Sequence, residues 1–427
     1  MAHRSAIPGP EDIFRTTLPN GMVLLVRENH TSPVVIIDGY LQVGSLHEPP
    51  ELAGLAAFVA PMLMRGTEKR SFTQINEEIE SVGASLSFGA GRDTTDFSGQ
   101  CLAEDLPLLI DILDDVLRHP TFPEEHVERV RGQKLTALQE RNNDTRRVAG
   151  IAFREMLYPE GHPYRRMVEG DPETVQAIRR DDLIAFYRDH FTPQGGAIAV
   201  VGDVQAQEVA DLLAETIGRW QPPASNQSVE VPPVPPLSEV RRKAVSLEGK
   251  TQTDLVLGVP ALSRLDPDFY AATVANSILG VFGMYGRLGE RVREQQGLAY
   301  YAYSALSVDK HAGVWVAIAG VAPQNVQRTI DSILDEIERM RREPVPEEEL
   351  ADVKAFLTGS LPLRLETNAG VSSAILEMEW FGLGFDFLQR YPDLINQVTA
   401  ERVQEVVSRY LRTDAYALGI AGPSVEG

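Results

Sequence analysis

IDILDDVLRHPTFPEEHVERV, residues 110–130, and IDSILDEIERMRREPVPEEELADV, residues 330–353, are two readings of one pattern. Each follows a run of alternating residues, and the apolar spacing over Leu106–Leu117 is helical. Pro123 and Pro346 lie 223 residues apart, while Gly83 and Gly297 lie 214 apart. Two copies of one unit with different loop lengths account for both offsets. Between the copies runs QPPASNQSVEVPPVPPLSEV, residues 221–240, whose proline and serine content reads as an extended tether. The expected organisation is therefore a domain over 1–220, a linker over 221–240 and a homologous domain over 241–427.

Working outward, each copy mixes strands with helices. MVLLVRE and VVIIDGYLQVG read as strands joined by ENHTSP, with Asn20-Gly21 as a tight turn before the first. Helices are expected over 51–64 and 72–82, then a strand pair in ASLSFGAGRDTTDFSGQC, and later a buried strand in QGGAIAVVGDV. The second copy repeats the order: VSLEGKTQTDLVLGVP, a helix over 266–279, then GLAYYAYSALSV and HAGVWVAIAGV as strands. The fold class is α+β, used twice, each domain a mainly antiparallel sheet flanked by helices.

The 427 residues exceed what one compact core organises, and 43% hydrophobic with 24% charged residues is ordinary globular composition. With 61 acidic against 40 basic residues the formal charge is −21, which disfavours nucleic acid and anionic membranes as partners. Cys101 is the only cysteine, so neither an intrachain disulfide nor a four-thiolate metal site can form. No apolar run reaches the ~20 residues of a membrane span, and MAHRSAIPGPEDIF does not read as a signal peptide. A cytoplasmic location is expected.

Gly54-Leu55-Ala56-Ala57-Phe58-Val59-Ala60-Pro61-Met62-Leu63-Met64-Arg65-Gly66-Thr67 resembles the metal-binding helix of the pitrilysin and mitochondrial-processing-peptidase family, the inverzincins. There the helix carries His-x-x-Glu-His: histidines at i and i+4 share one face and bind zinc, and the glutamate serves as general base. Carried over, the three chemical positions fall on Ala57, Ala60 and Pro61, none of which ligates a metal or takes a proton. Pro61 also removes a helix hydrogen bond. The family's third ligand, a downstream glutamate, corresponds in distance to Glu140, which alone would hold zinc poorly and reads as a solvated helix residue. None of the eight histidines stands four residues from another. No metal is expected in this chain. The resemblance extends through LPNGMVLLVRE, the loop GHPYRRMVEGDPETVQAI, where it implies a structural His162, and FYRDHFTPQGGAIAVVGDV.

In the second copy, Gly286-Arg287-Leu288-Gly289-Glu290-Arg291-Val292-Arg293-Glu294-Gln295-Gln296-Gly297-Leu298-Ala299-Tyr300 resembles the family's Ser-Arg-Leu-Phe…Arg-Glu-Lys-x-Gly-Leu-Ala-Tyr run. The resemblance implies that Arg293 and Tyr300, seven apart, hold substrate. A guanidinium offers forked donors to carbonyl oxygens, and a phenol can donate to a developing oxyanion. By residue pattern alone, the favoured reading is that Arg293 pairs with Glu290 or another helix neighbour and Tyr300 packs within a strand; the resemblance reverses that order. Upstream, Gly280, Gly283 and Gly286 resemble the glycine-rich loop of the non-catalytic processing-peptidase subunit; a plain turn between helices is the alternative.

Some bacterial relatives divide the work between two chains, one bringing the zinc motif and the other the arginine–tyrosine pair. The resemblance thus implies a non-catalytic, substrate-binding subunit of a heterodimeric zinc metallopeptidase acting on unfolded peptides. Its expected partner is a zinc-bearing paralogous subunit, with a homodimer of the isolated chain also compatible. The alternative is a structural or peptide-binding protein without a proteolytic partner, as in the core subunits of the respiratory bc1 complex.

Overall fold

The computed structural model describes residues 7–221 and 229–423; most of the proline-rich tether's first half, 222–228, lies outside them. Eleven strands form two sheets. The first contains β1 (Phe14–Thr17), β2 (Val23–Glu28), β3 (Val34–Leu41), β4 (Ser85–Ala90), β5 (Thr95–Leu102) and β6 (Ala197–Gly202), in the order β1-β2-β6-β3-β5-β4. The second contains β7 (Arg241–Ser246), β8 (Thr253–Ala261), β9 (Ala299–Ser307), β10 (Gly313–Val321) and β11 (Ala417–Gly422), in the order β7-β11-β8-β10-β9.

Without β1 the two sheets have one topology. β2 runs parallel to β6 as β7 runs parallel to β11, and every other pair is antiparallel. The internal repeat is thus a repeat of structure. One detail departs from sequence order: β2 and β3, neighbours along the chain, are separated by β6. That strand is buried at every position, and an all-apolar segment is most stable where both faces and both edges are covered.

The compact units are not the contiguous halves expected from the tether. One unit combines described residues up to Leu138 with Arg166–Glu230 and Pro362–Gln389; the other takes Gln139–Arg165, Val231–Leu361 and described residues from Arg390. The two copies have exchanged a helix. Thr145–Leu157, from the first copy, packs on β7, β8 and β11, while Asn368–Phe381, from the second, packs on β3 and β6. Both start at a side-chain cap: Asp144 accepts from the Arg147 N–H at 2.8 Å, and Thr367 from the Gly370 N–H at 3.0 Å. Small residues let the helix close on the sheet. A Cβ at Gly419 of β11 would stand 2.1 Å from the Ala149 carbonyl oxygen. A sheet needs an apolar cover on each face, and exchange meets that need twice with one type of helix.

In the first unit the helix Leu55–Met62 lies within the core, where Phe58, Val59 and Met62 meet Leu24, Ile37 and Leu41 of the sheet in one cluster. Cys101 joins this cluster, and burial pushes its thiol up to about 12, so it is an inert core residue. His162, in the second unit, accepts the Tyr164 N–H at 3.0 Å, meets the Pro232 carbonyl at 3.0 Å and stacks on Tyr158. It holds a loop. Among the described residues no helix is long and apolar enough to cross a membrane.

Candidate functional site

The metal-helix position is closed by packing. The helix Leu55–Met62 starts at Gly54, whose φ of 98° puts it in the left-handed region and whose missing side chain leaves room for the Glu169 carbonyl. Glu48 caps it from six residues upstream, its carboxylate accepting from the Gly54 and Ala56 N–H groups at 3.0 Å each. Burial pushes the Glu48 carboxyl up to about 7, against those hydrogen bonds and the charge of Arg166. Leu55, Ala56, Phe58, Val59, Ala60 and Met62 are buried, which leaves Ala57 and Pro61 on the half-buried face. The helix runs one residue past Pro61 and tightens into a turn over Leu63–Arg65.

That face offers zinc nothing. Methyl groups and a pyrrolidine ring stand where imidazole and carboxylate donors would be needed. The Lys134 ammonium lies 5.8 Å from the centre of the Phe58 ring, pushed down to about 8 by burial, with Glu169 and Glu48 opposing. Glu140, six residues along the same helix (Glu124–Asn142), is exposed. Among the described residues no group of three or more His, Cys, Asp or Glu could hold a metal ion. The residues present do not fit zinc.

The second unit presents the opposite arrangement. Three arginines lie in the run from Gly286, and two are committed to structure. Arg287 is forked on Glu349 and reaches Glu336 at 3.4 Å, while Arg291 binds Glu336 at 3.4 Å and Asp335 at 3.1 Å. Arg293 is turned elsewhere: its guanidinium donates to the Met284 sulfur and stands 3.6 Å from Glu294. Pairing with Glu290 is replaced by Gln295, whose amide donates to the Glu290 carboxylate at 3.0 Å. Gly289–Gln295 is wound as a wide turn of i→i+5 hydrogen bonding, which rotates its residues out of α-helical phase.

Tyr300 is placed by a second irregularity. In the β9–β10 ladder Tyr301 pairs with Gly320 and Ala299 with Val321, so Tyr300 has no partner across the strand. It is the extra residue of a β-bulge. Unbulged, it would share the face of Ala302 and Ser304, both buried; instead it is 81% exposed, the most open large hydrophobic residue among those described. The expectation that Tyr300 simply packs in a strand is not met. Tyr301 and Tyr303 are the ones that pack, through hydrogen bonds to Asp254 and Arg146.

The glycine-spaced segment is a structured loop whose glycines serve different ends. Gly280 lies so close to β9 that a Cβ would stand 2.0 Å from the Ser304 nitrogen, and one at Gly286 would stand 2.6 Å from the Ile278 carbonyl oxygen. Gly283 has open space around it but adopts φ 62°, ψ −130°, which only glycine takes readily. Tyr285 follows with φ 73°, and Met284 is 60% exposed. The loop thus presents apolar side chains to solvent next to Arg293.

The chain also matches known proteins. Residues 23–158 match the profile of the insulinase (peptidase M16) family, and residues 177–357 match that of the peptidase M16 inactive domain. The chain belongs to the peptidase M16 family. An uncharacterised zinc protease of Streptomyces coelicolor is 29% identical over 86% of this chain and 80% of its own. The beta subunit of bovine mitochondrial-processing peptidase is 25% identical over 96% and 84% respectively. In fold, this M16 chain is similar to a peptidase M16 inactive domain from Pseudomonas fluorescens, with TM-score 0.89 and 23% identity over 97% of this chain and 99% of that one. A Helicobacter pylori protease gives the same TM-score at 18% identity, covering 98% and 100%.

The bulge and the wide turn were not foreseen from residue type. The bulge arises from register against β10 and the turn from i→i+5 bonding within its own segment, and the sequence hint was only that the arginine and tyrosine stand seven apart.

Proposed function

We propose that this chain is the non-catalytic, substrate-binding subunit of a heterodimeric zinc metallopeptidase that acts on unfolded peptides. The carrying observation is the outward bulge of Tyr300, seven residues on from an Arg293 held only by the Met284 sulfur and Glu294, in a protein whose described residues offer no group able to hold a metal ion. An exposed tyrosine offers a flat apolar ring and a phenol hydroxyl to whatever docks there. A zinc-bearing paralogous subunit would supply the metal chemistry, since the described residues of this chain offer no group able to hold a metal ion. Arg293 would direct N–H donors at peptide carbonyl oxygens, and the Tyr300 phenol would donate to the same backbone. β9 is an edge strand of its sheet, so its outer main-chain groups can add an extended peptide. Grip on backbone rather than side chains implies broad sequence tolerance. A cytoplasmic location and a homodimer of the isolated chain are compatible with this role.

The test is cleavage of an unstructured fluorogenic peptide, with zinc present, by this chain alone and mixed with its zinc-bearing paralogue. Turnover only in the mixture supports the proposal. Arg293→Ala and Tyr300→Phe should each lower mixed-complex kcat/KM by roughly tenfold to a hundredfold, about 1.4–2.7 kcal/mol, with assembly intact. Unchanged turnover in both variants removes the role of the pair. Chelator-sensitive activity of the pure chain would show that a metal site exists after all. Peptide binding without turnover in the mixture would favour the binding protein that needs no proteolytic partner.

A further inference from the structure

The exchanged helix Asn368–Phe381 covers β3 and β6 but stops short of β4 and β5. Beyond its edge lies a cavity of about 580 Å³ floored by β3, β4 and β5. Its walls are of two kinds. Tyr40, Leu376, Trp380 and Phe381 are apolar or aromatic, and the Tyr40 and Trp380 rings meet edge-on with centroids 5.0 Å apart. Asp38, Asp96 and Glu377 are carboxylates.

Asp38 departs from ordinary economy. It sits mid-strand in β3, opposite Ser98 and Ala199, and its Oδ1 is buried without a hydrogen-bond donor. A buried carboxylate oxygen left undonated destabilises a fold unless a water, an ion or a ligand group donates to it. The nearby guanidinium of Arg15, an electrostatic neighbour of Tyr40, cannot supply the missing donor. Glu379 already holds it in a fork, at 3.1 and 2.8 Å.

We propose that this cavity binds the side chain of an arginine or lysine from an extended peptide. The cationic head would donate to Asp38 with Asp96 and Glu377 around it, and the apolar stem would lie against Trp380 and Tyr40. Aromatic walls with carboxylates at the floor suit a cation on a hydrocarbon stem and disfavour an anion or a purely apolar group. The net charge of −21 draws basic peptides toward the protein at low salt. The cavity belongs wholly to one compact unit and contains neither Arg293 nor Tyr300, so this proposal stands independently of the two-subunit reading.

The experiment is calorimetric titration of the full chain, without zinc or any partner. The probes are an unstructured alanine–glycine peptide with one central arginine, the same peptide with neutral citrulline in its place, and spermidine. The arginine peptide should bind, weaken as salt rises, and exceed the citrulline peptide by about tenfold or more. Asp38→Asn should abolish that preference while raising the melting temperature, because it removes an undonated charge; a purely structural Asp38 would instead lower it. Trp380→Leu should weaken the arginine peptide severalfold with the fold retained. Equal binding of arginine and citrulline peptides, binding unaffected by both substitutions, or no binding at millimolar peptide would each overturn the proposal. Tighter binding of spermidine than of the arginine peptide would overturn the assignment to a peptide side chain.

Discussion

The helix Leu55–Met62 and the run Gly289–Tyr300 each resemble a functional element of the family in sequence, and their surroundings diverge. Ala60 is 0% exposed, whereas Tyr300 is 81% exposed. The first region keeps a regular helix and has lost its polar atoms. The second keeps its polar atoms and departs from regular backbone, through a wide turn and a bulge. Packing closes the helix at Ala60, while Ala57 and Pro61 stay half-buried and carry no polar side-chain atom. A side chain that must reach a ligand needs backbone that resists the same closure.

The sharpest way to break this contrast is to restore charge to the closed helix. Ala60→Glu would place a carboxylate at a fully buried position and should cost about 3–5 kcal/mol, read from the urea midpoint. A cost below about 1 kcal/mol would mean that solvent reaches this face and that the two regions do not differ as described.

Glu48 offers a subtler probe of the closed region. The folded state holds its proton more tightly than the unfolded chain, whose carboxyl titrates in the ordinary range. The contribution of protonated Glu48 is therefore fully present below the ordinary carboxylate range and is lost as pH rises towards about 7. Relative to Glu48→Gln, the native chain should lose about 2 kcal/mol of stability between pH 5 and 7.5. Parallel pH profiles for the two proteins would show that Glu48 is not desolvated.

In the open region, Gly283→Ala separates strain from packing. No atom lies within 4 Å of where the new Cβ would stand, so the whole effect comes from φ 62°, ψ −130°. A loss of about 1–2 kcal/mol is expected from thermal unfolding. No loss would show that the loop adopts other conformations freely, and that its exposed Met284 and Tyr285 are not held for a ligand.

Much of this molecule was legible in its sequence because the information was local. Apolar runs and alternation marked β2 to β6 and β8 to β10, while the edge strands β1 and β7 and the C-terminal β11 were not read, and repeated spacing around Pro123 and Pro346 marked the duplication. The absence of donors at Ala57, Ala60 and Pro61 was readable from residue type alone. The exchange of Thr145–Leu157 and Asn368–Phe381 was hidden, because a helix's apolar face does not state which of two like sheets it will cover. β6 between β2 and β3 was hidden for a similar reason: pairing partners are chosen across more than 150 residues. The bulge at Tyr300 depends on register against β10, and the groove beside Trp380 depends on where an exchanged helix stops short.

The smallest expected effect is the most discriminating. Tyr300→Ala should change stability by no more than about 0.5 kcal/mol, since the residue is exposed, lies outside the ladder and is not among the buried residues of the fold. The neighbouring Tyr301→Ala removes a hydrogen bond to Asp254 and half-buried ring surface, and should cost about 1–3 kcal/mol. If Tyr300 served the fold, the two substitutions would cost alike. A near-neutral Tyr300→Ala that still lowers turnover of the mixed complex can be explained only by contact with something outside this chain. That dissociation of stability from activity is what a bulge retained for function requires.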